Sequence, residues 1–379
     1  MKRPINVLHI MSRLPVGGVE RQLSAVLRNY DRQKIMPLVC SLSDKGEIGL
    51  EIQAMGIEVI CLNKLGHGFS AAIVNDLMKI MKDKKIDVVR THQYHANLYG
   101  RIAAIFSRIP CILPSVHNVY TRDRKIHRRI LNNLLGRLSD AIIAVSEAVK
   151  DDVMAYDHIP SERLRVIYNG VEEARFMGNQ GSAIRFELNL PEHAVIVGNV
   201  GRLTTQKGQQ YLIEAVASIV SDFPALRLLI VGDGPDSTVL MRLAKEKGIE
   251  GRVIFTGSRD DVPNLLAAID IFVFPSLWEG LPNALVEAMA AGKAIIATDI
   301  KPNREVLGSG EAGMLVAVKD SNALASGIAA LIRDRSLAGH LGSAARARAL
   351  SRFTMAGTVL VYTTLFEDIL RAKGRMAYS

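Results

Sequence analysis

Short apolar runs alternate with amphipathic, helix-forming segments along most of this chain. The alternation runs from residues 7–11 to residues 165–168 and begins again at residues 195–200. Strands that alternate with helices pair in parallel, and helices then cover both faces of the sheet. The pattern therefore predicts an α/β protein of two doubly wound parallel-sheet domains, which we place at residues 1–172 and 190–358.

A polar passage at residues 178–182 separates the two series and is typical of a linker. The length of 379 residues also exceeds what one core usually organises. In open parallel sheets, ligands collect beyond the carboxyl ends of the strands. We expect the two domains to face each other across a cleft, with the binding residues directly after strands.

The composition, 49% apolar and 22% charged, is that of a globular protein. No apolar run approaches the roughly 18 residues that a membrane-spanning helix needs. Residues 1–10 mimic a secretory signal, but Asn6 and His9 interrupt the apolar part, which predicts a buried first strand instead. The cysteines match no metal-site spacing and are expected to be buried thiols of a cytoplasmic protein: Cys40, Cys61 and Cys111.

The formal net charge of +9 is concentrated in residues 1–180, which hold 26 Lys and Arg against 18 Asp and Glu. Such an excess attracts anionic lipid headgroups or a pyrophosphate-bearing acceptor, and a merely solvated basic face is the alternative. We therefore expect contact with the inner face of the cytoplasmic membrane. No nucleic-acid-binding motif accompanies the charge, so nucleic acid is not an expected partner. The densest basic cluster contains Arg122, Arg124, Lys125, His127, Arg128 and Arg129.

The segment 279–292 follows an apolar run and opens a helix that we start at Pro282 or Asn283. The N–H groups at such a start favour a phosphate. Glu279 in the loop and Glu287 one turn inside the helix offer carboxylates to hydroxyl groups. Together these features indicate a nucleotide-sugar site, although a capping Glu279 and a solvated Glu287 would fit the same spacing.

Two cations, Arg202 and Lys207, follow the predicted strand at residues 195–200. A planar guanidinium and a mobile ammonium suit a diphosphate. Both would gain interaction as a leaving group departs with additional negative charge, which lowers the barrier. A surface ion pair is the alternative interpretation.

Further candidate positions follow strands of the first domain. Gly17 and Gly18 open the first helix and can bring N–H groups to the same diphosphate, although a plain tight turn explains them equally well. His117 follows the run at 112–116, where an imidazole can orient groups near a reacting carbon. His92 and His95 occupy the same place one strand over, and a structural role is the alternative for each histidine.

The loop at residues 257–262 offers the backbone of Ser258 and Arg259 to a nucleobase edge, while Asp260 or Asp261 is expected to cap the next helix. No two aspartates stand one residue apart, so the commonest metal-binding pattern of nucleotide-sugar enzymes is missing. We therefore expect cations and helix starts to meet the phosphate charge, with no metal ion and no cofactor beside the sugar donor.

Taken in order along the chain, these motifs resemble the retaining family-4 glycosyltransferases of the GT-B fold, also called glycosyl transferases group 1. The resemblance spans nearly the whole sequence. It implies two Rossmann-like domains facing across a cleft, with a last helix at about residues 359–379 that returns to the first domain. It rests on Gly17-Gly18-Val19-Glu20, Ser115-Val116-His117, Val145-Ser146-Glu147, Asn169-Gly170-Val171, Gly201-Arg202, Lys207-Gly208, residues 270–276, and Glu279 with Glu287.

The resemblance also implies a role for each matching residue. Arg202 and Lys207 would bind the donor diphosphate, and Glu287 the ribose. Glu279 and His117 would contact the donor sugar near the reacting carbon. Further donor contacts would come from the backbone of Gly17, Gly18, Gly280, Leu281, Pro282 and Asn283.

The implied reaction moves a hexose or N-acetylhexosamine from a nucleotide-diphosphate sugar, UDP-linked, to a saccharide or polyprenyl-pyrophosphate-linked acceptor in cell-surface polysaccharide or glycolipid synthesis. Many members have Phe-Gly after the first glutamate, where this chain has Gly280-Leu281, so the donor sugar stays open. A nucleotide-sugar 2-epimerase of the same architecture and a catalytically silent nucleotide-sugar-binding protein are the alternatives. The incomplete glycine fingerprint at Gly232-Asp233-Gly234 disfavours an NAD-dependent dehydrogenase.

Overall fold

The computed structural model describes residues 3–66, 68–119, 126–177 and 180–375, apart from the side chain of His127. The chain divides into two compact units. The first consists of Met1–Gly170 together with Met355–Ser379, and the second of Val171–Thr354. The chain therefore leaves the first unit once and returns to it at its C-terminal end.

The described part of the first unit contains a seven-stranded sheet with helices between the strands. Its strands are β1 (Ile5–Met11), β2 (Ile35–Ser41), β3 (Val59–Cys61), β4 (Val88–His92), β5 (Cys111–Val116), β6 (Ile142–Ala144) and β7 (Leu164–Val166). Its first helices are α1 (Gly18–Arg28), α2 (Gly46–Ala54), α3 (Ala71–Asp83), α4 (Tyr94–Phe106), α5 (Ile126–Arg137) and α6 (Glu147–Asp157). The sheet order β3-β2-β1-β4-β5-β6-β7, with parallel pairing, is that of a doubly wound domain.

The described part of the second unit repeats this plan with a six-stranded sheet in the order β10-β9-β8-β11-β12-β13. Its strands are β8 (Val195–Val200), β9 (Leu226–Val231), β10 (Val253–Phe255), β11 (Ile271–Phe274), β12 (Ala294–Thr298) and β13 (Met314–Val316). Its helices are α7 (Gly181–Glu187), α8 (Gln209–Ile219), α9 (Ser237–Glu246), α10 (Val262–Ala268), α11 (Asn283–Ala290), α12 (Lys301–Leu307), α13 (Ser321–Arg333) and α14 (Arg335–Arg352).

The last helix, α15 (Met355–Ala372), packs on the first unit. Its buried side chains recur every three to four residues, as a helix with one apolar face requires. They join the core formed by α1, α2 and one face of the first sheet: Met355, Val359, Tyr362, Phe366 and Leu370. The opposite face of that sheet is covered by α3 and α4.

The structure corrects several element predictions. The interval at residues 178–182 does not end as a linker, because α7 begins at Gly181 and packs against α10 within the second unit. Residues 178–179 of that interval lie outside the described residues. The sequence analysis also overlooked α6 and three short elements, α7, α12 and β13, which have only three to seven residues and are too short to show a clear period.

The expectations about the cysteines and about membrane-spanning helices can also be compared with the structure. Cys40 and Cys111 are buried, as predicted, but Cys61 on β3 is only partly buried. No helix in the described ranges combines the length and the apolar character that crossing a membrane requires.

Candidate active site

The predicted donor-binding cations and Glu279 of the second unit follow two neighbouring parallel strands. Arg202 and Lys207 come after β8, and Glu279 comes after β11, which pairs directly with β8. Parallel strands end at the same edge of a sheet, so the loops that follow them lie side by side. The structure thus brings together residues more than seventy positions apart.

Lys207 and Glu279 form an ion pair with 2.5 Å between Nζ and Oε1. The Glu279 side chain is 7% exposed and the Lys207 side chain 20% exposed. Lys207 Nζ also lies 5.2 Å from the centre of the Phe274 ring, within range of a cation–π contact. The ammonium is therefore held at the edge of the sheet, and Glu279 pairs with it instead of capping α11.

The two loops that carry this pair are tied to each other. Gln206 accepts the Leu277 N–H through its carbonyl at 2.8 Å and donates from Nε2 to the Trp278 carbonyl at 2.8 Å. Gly208 has a φ of +65°, and a Cβ there would collide with the Pro275 carbonyl oxygen. Glycine at this position lets the loops approach closely enough for the Lys207–Glu279 pair to form.

Arg202 is exposed at the same edge of the sheet. Gln209 holds the Arg202 backbone, because its Nε2 donates to the Arg202 carbonyl at 3.2 Å. The same Nε2 also donates to Asn199 Oδ1 at 3.3 Å. Asn199 Nδ2 in turn donates to the Val273 carbonyl of β11 at 2.9 Å. No carboxylate of the described chain pairs with the Arg202 guanidinium. Its N–H groups are therefore available for bidentate hydrogen bonds to a phosphate.

Helix α11 begins at Asn283 with Pro282 in the N-cap position, as predicted. No side-chain oxygen caps this start, and its first turn contains no acidic residue. Gly280, Leu281 and Pro282 are buried, whereas Glu287 on the next turn is half-buried. A helix start of this kind favours an anion. Donor contacts by these residues stay a prediction.

The loop before α10 differs from its prediction. Asp261 occupies the N-cap position, but its side chain does not cap the helix. Its carboxylate instead accepts hydrogen bonds from Arg259 Nε and Nη2, each at 2.8 Å. Arg259 Nη1 also donates to Glu187 at 2.6 Å. The guanidinium lowers the pKa of the Asp261 carboxyl below its usual range. The Arg259 side chain is thus committed to ion pairs, and base binding by the backbone of Ser258 and Arg259 stays a prediction.

In the first unit, Gly17 is the N-cap of α1 and Gly18 its first residue. The carboxylate of Glu20 lies against Gly17, where a Cβ would collide with it. Glu20 is buried, which raises the pKa of its carboxyl. An acid already occupies this helix start, so a phosphate there would have to displace it or bind beside its protonated form. The role of both glycines stays a prediction.

His117 directly follows β5 and closes a row of three rings. Its Nε2 lies 3.1 Å from His92 Nδ1, and His92 Nε2 lies 3.4 Å from His9 Nδ1. Burial, with a contribution from the charge of Arg90, lowers the pKa of His117 to about 3. The ring is therefore neutral at physiological pH. His95 is exposed on α4, outside this row.

Two other predictions concern ions. Over the described ranges, no group of His, Cys, Asp and Glu side chains is placed to hold a metal ion. Within the basic cluster, Arg128 lies over the Tyr94 ring at 4.1 Å and Arg129 is half-buried on α5. The other members, Arg122, Arg124, Lys125 and the side chain of His127, lie outside the described residues.

The sequence analysis overlooked the amides that support the site. Asn199 lies within β8 and Gln209 at the first position of α8, and each is 1% exposed. A polar side chain inside an otherwise apolar strand is the signal that could have identified Asn199, because a buried amide needs partners. Gln206 carries no comparable signal.

Two family models match this chain. The one described as Glycosyltransferase Family 4 matches residues 16–175, and the one described as Glycosyl transferases group 1 matches residues 181–348. Between them they cover most of the sequence. The second match lies entirely within the second unit.

Several characterised proteins are similar over most of their length. The UDP-Gal:alpha-D-GlcNAc-diphosphoundecaprenol alpha-1,3-galactosyltransferase of Escherichia coli is 28% identical, covering 88% of this chain and 89% of its own. The crystal structure of Anabaena HepE in complex with UDP-glucose superimposes with a TM-score of 0.85 at 25% identity, covering 97% of this chain and all of that one. The chain thus belongs to the family-4 glycosyltransferases, and its two parallel-sheet units have the GT-B fold.

Proposed function

We propose that this glycosyltransferase is retaining and metal-independent and moves a hexose or N-acetylhexosamine from a UDP-sugar. The acceptor is a saccharide or a polyprenyl-pyrophosphate-linked sugar in cell-surface polysaccharide or glycolipid synthesis. The observation that carries the proposal is the ion pair of Lys207 and Glu279 at the carboxyl ends of β8 and β11. It holds a cation and a carboxylate where an α/β sheet binds ligands.

The charges at this edge suit the departure of a nucleoside diphosphate. Negative charge grows on the phosphate as the bond to the sugar breaks, and Lys207 and Arg202 interact most strongly with that charge. The N–H groups at the start of α11 carry partial positive charge and favour the same phosphate. Glu279, already beside Lys207, can accept a hydrogen bond from a hydroxyl group of the donor sugar. Glu287 can accept hydrogen bonds from the ribose hydroxyl groups.

Retention is the outcome that these residues favour. Glu279 is held by Lys207, and a histidine whose pKa is about 3 is a weak base at neutral pH. Neither group is suited to take the acceptor proton. If the acceptor attacks on the face that the leaving group vacates, the departing phosphate can take the acceptor proton. The sugar then keeps its configuration.

The nature of the donor and acceptor is supported by relatives. The Escherichia coli relative is named for a UDP-galactose donor and a diphosphoundecaprenol-linked acceptor. The Campylobacter jejuni relative, 28% identical over 66% of this chain and 67% of its own, is also named for a diphospho-undecaprenol substrate. HepE was crystallised with UDP-glucose. Lipid-linked acceptors of this kind support our proposal that the reaction takes place at the cytoplasmic face of a membrane.

A surface of the first unit fits such a location. Four exposed apolar side chains recur every fourth residue along α5 and beyond its end, and we call them the α5 face: Ile126, Ile130, Leu134 and Leu138, between 52% and 69% exposed. The basic cluster is next to them in sequence. An apolar stripe flanked by cations suits the headgroup region of an anionic bilayer.

A thermal-shift panel of UDP-, GDP-, ADP- and TDP-sugars tests the proposed donor. A ligand that binds the folded state raises the melting temperature, so we expect the largest shift with a UDP-sugar. The preferred donor is then supplied with a lipid-linked acceptor, with and without EDTA. Transfer with retained configuration that EDTA leaves unchanged is the expected result. Conversion of the sugar without an acceptor would indicate an epimerase instead.

A further inference from the structure

Three histidine rings form a continuous row in the first unit. His9 lies on β1, His92 ends β4 and His117 directly follows β5. The ring centres are 5.7 Å apart between His9 and His92 and 5.3 Å apart between His92 and His117, with near-parallel planes. Nitrogen-to-nitrogen contacts of 3.4 and 3.1 Å connect them. The row runs from the core to the edge of the sheet where ligands are expected.

Strand register explains the row. His9 pairs with Arg90 across β1 and β4, and His92 pairs with Ser115 across β4 and β5. Side chains two residues apart on a strand share a face, so all these groups point to the same side of the sheet. The carboxyl ends of β1 and β4 are also tied, because Gln93 Oε1 accepts the Ser12 N–H at 3.1 Å.

Burial keeps the three rings neutral. It is the main cause that lowers the pKa of His9, His92 and His117, and the charge of Arg90 acts in the same direction on each. A neutral imidazole has one N–H and one bare nitrogen. Two proton arrangements therefore satisfy both contacts in the row.

In the outward arrangement, His9 Nδ1–H donates to His92, His92 Nδ1–H donates to His117, and His117 is left with an N–H on Nδ1. In the inward arrangement every bond is reversed, and the unpaired N–H is His9 Nε2. Both His9 Nε2 and His117 Nδ1 are buried atoms, and neither has a hydrogen-bond partner within the part of the chain that the structure describes. The choice depends on which end tolerates an unpaired donor.

Burial favours the outward arrangement, and a buried cation, Arg90, lies beside the row. It is 2% exposed, its guanidinium lies 3.6 Å from the centre of the Tyr362 ring, and Nη2 donates to Ser115 at 3.3 Å. No described carboxylate forms an ion pair with it. The Arg90 charge acts on all three rings, so it does not by itself select a direction. His9 is fully buried in the core, whereas His117 is half-buried where β5 meets the following loop, so an orphaned N–H is least tolerated at His9.

We infer that His9 and His92 are positioning residues that hold His117 in its Nδ1–H form, so that His117 offers a hydrogen-bond donor to a sugar oxygen. The inference rests on the proposed function for the identity of that oxygen. The direction of the row does not depend on it. In this arrangement His117 orients the substrate and does not abstract a proton.

Nitrogen NMR on the full chain with 15N-labelled histidine tests the direction. Long-range proton–nitrogen correlations distinguish a protonated ring nitrogen from a bare one, and His117→Gln identifies the His117 signals. We expect a protonated Nδ1 and a bare Nε2 at His117 in the unaltered protein. His92→Phe removes the donor and should leave a mixture of tautomers, whereas His340→Phe, on an exposed histidine of α14, should leave the His117 tautomer unchanged.

Kinetics on the same variants test the consequence. His92→Phe should lower kcat about 10-fold, the loss expected for one neutral hydrogen bond, and leave KM for the UDP-sugar unchanged. His92→Gln should recover most of the loss, because its amide can accept from His9 and donate to His117. His340→Phe should match the unaltered protein.

The spectrum of the unaltered protein decides the inference without any variant. A proton on His117 Nε2, or on both nitrogens, would overturn it. So would a fixed Nδ1–H form that persists in His92→Phe. If the spectrum agrees but no nucleotide sugar supports transfer, the proposed function fails while the row and its direction stand.

Discussion

Lys207 pairs with the Glu279 carboxylate at the edge of the second sheet, where we propose that the donor diphosphate binds. The nearly buried carboxylate is compensated by this one ammonium at 2.5 Å. Removing either partner leaves the other as an uncompensated charge in a poorly hydrated place. In the proposed reaction the pair therefore determines both the position of the ammonium and the charge that the donor meets.

Lys207→Ala and Glu279→Ala should each lower kcat by about 100-fold or more, because each removes an interaction that strengthens in the transition state. Both proteins should remain folded, as shown by circular dichroism. The measurement is transfer from the preferred UDP-sugar. Lys84→Ala and Glu58→Ala are matched controls, since they break an exposed Lys–Glu pair of 2.7 Å in the first unit. Undiminished transfer in either site variant contradicts the assignment.

Asp157, on α6, makes the stability depend on pH. Burial raises the pKa of its carboxyl to about 6, against the opposing hydrogen bond of Asn132 and charge of Arg101. Because the pKa is higher in the folded state, the folded protein keeps this proton between about pH 4 and 6 and the unfolded chain does not. The contribution to stability is therefore present at low pH and is lost as the pH rises through 6.

Asp157→Asn should remove this dependence. We expect the free energy of unfolding to rise by about 1–3 kcal/mol at pH 7.5 and by less at pH 5. Urea unfolding at the two pH values measures the difference. Asp151→Asn, at an exposed position of the same helix, should shift the stability little at either pH. An equal gain at both pH values would exclude the titration of Asp157 as the cause.

Helices α5 and α15 show opposite relations to the core. Both present an apolar face, but that of α15 is buried in the first unit and that of α5 is exposed. An exposed apolar stripe on a helix indicates a further binding surface. The sequence alone could not distinguish the two, because the period of apolar residues is the same in each.

The α5 face should carry membrane binding. Replacing Ile126, Ile130 and Leu134 by Ser should reduce co-sedimentation with anionic vesicles, because the apolar contacts are lost. Replacing Arg122, Arg124, Lys125 and Arg129 by Gln should reduce it most at low salt. Val239→Ser with Met241→Ser, exposed on α9, is the control. Unchanged binding in both altered sets would rule out this surface.

Phe366 on α15 is fully buried, whereas Leu360 on the same helix is 66% exposed. Phe366→Ala should lower the free energy of unfolding by about 3–5 kcal/mol, because it leaves a cavity in the core. Leu360→Ala should change it by less than about 0.5 kcal/mol. Urea unfolding monitored by circular dichroism compares the two, and similar losses would mean that α15 does not pack as described.

The strands of the second unit could be predicted to the residue where an apolar run ends at a polar turn: the runs at residues 195–200, 253–255, 271–274 and 294–298 are β8, β10, β11 and β12. Positions after strands also identified Lys207 and Glu279. What could not be predicted depends on distant parts of the chain. Arg259 reaches Glu187, 72 residues away, and the contact of His9 with His92 spans 83 residues. The histidine contact follows from strand register and the Arg259–Glu187 pair from the packing of α7 against α10, and the sequence pattern specifies neither.

The two units differ in how the chain forms them. The second is one continuous stretch, and the first is assembled from two distant segments. The ends of the inserted stretch meet, since Val171 bridges to Thr354 and its N–H donates to the Phe353 carbonyl at 2.7 Å. A short connection could therefore replace the second unit without straining the first.

A fragment of residues 171–354 should unfold in one cooperative transition, because it keeps its whole core. Residues 1–170 alone should not, because they lack the buried side chains of α15. Joining residues 1–170 to 355–379 through a Gly-Ser connection should restore a cooperative transition. Urea unfolding of the three fragments is the measurement, and cooperative unfolding of residues 1–170 alone would contradict the role given to α15.

The placement of α15 has a consequence for protein synthesis. A ribosome completes the second unit before it has made the helix that closes the first, so residues 1–170 leave the exit tunnel with an open apolar face and wait for it. A chaperone that recognises nascent chains is expected to shield this face until α15, which ends at Ala372, has been made and has left the tunnel. Slow codons between the two units would then lengthen the wait and increase aggregation.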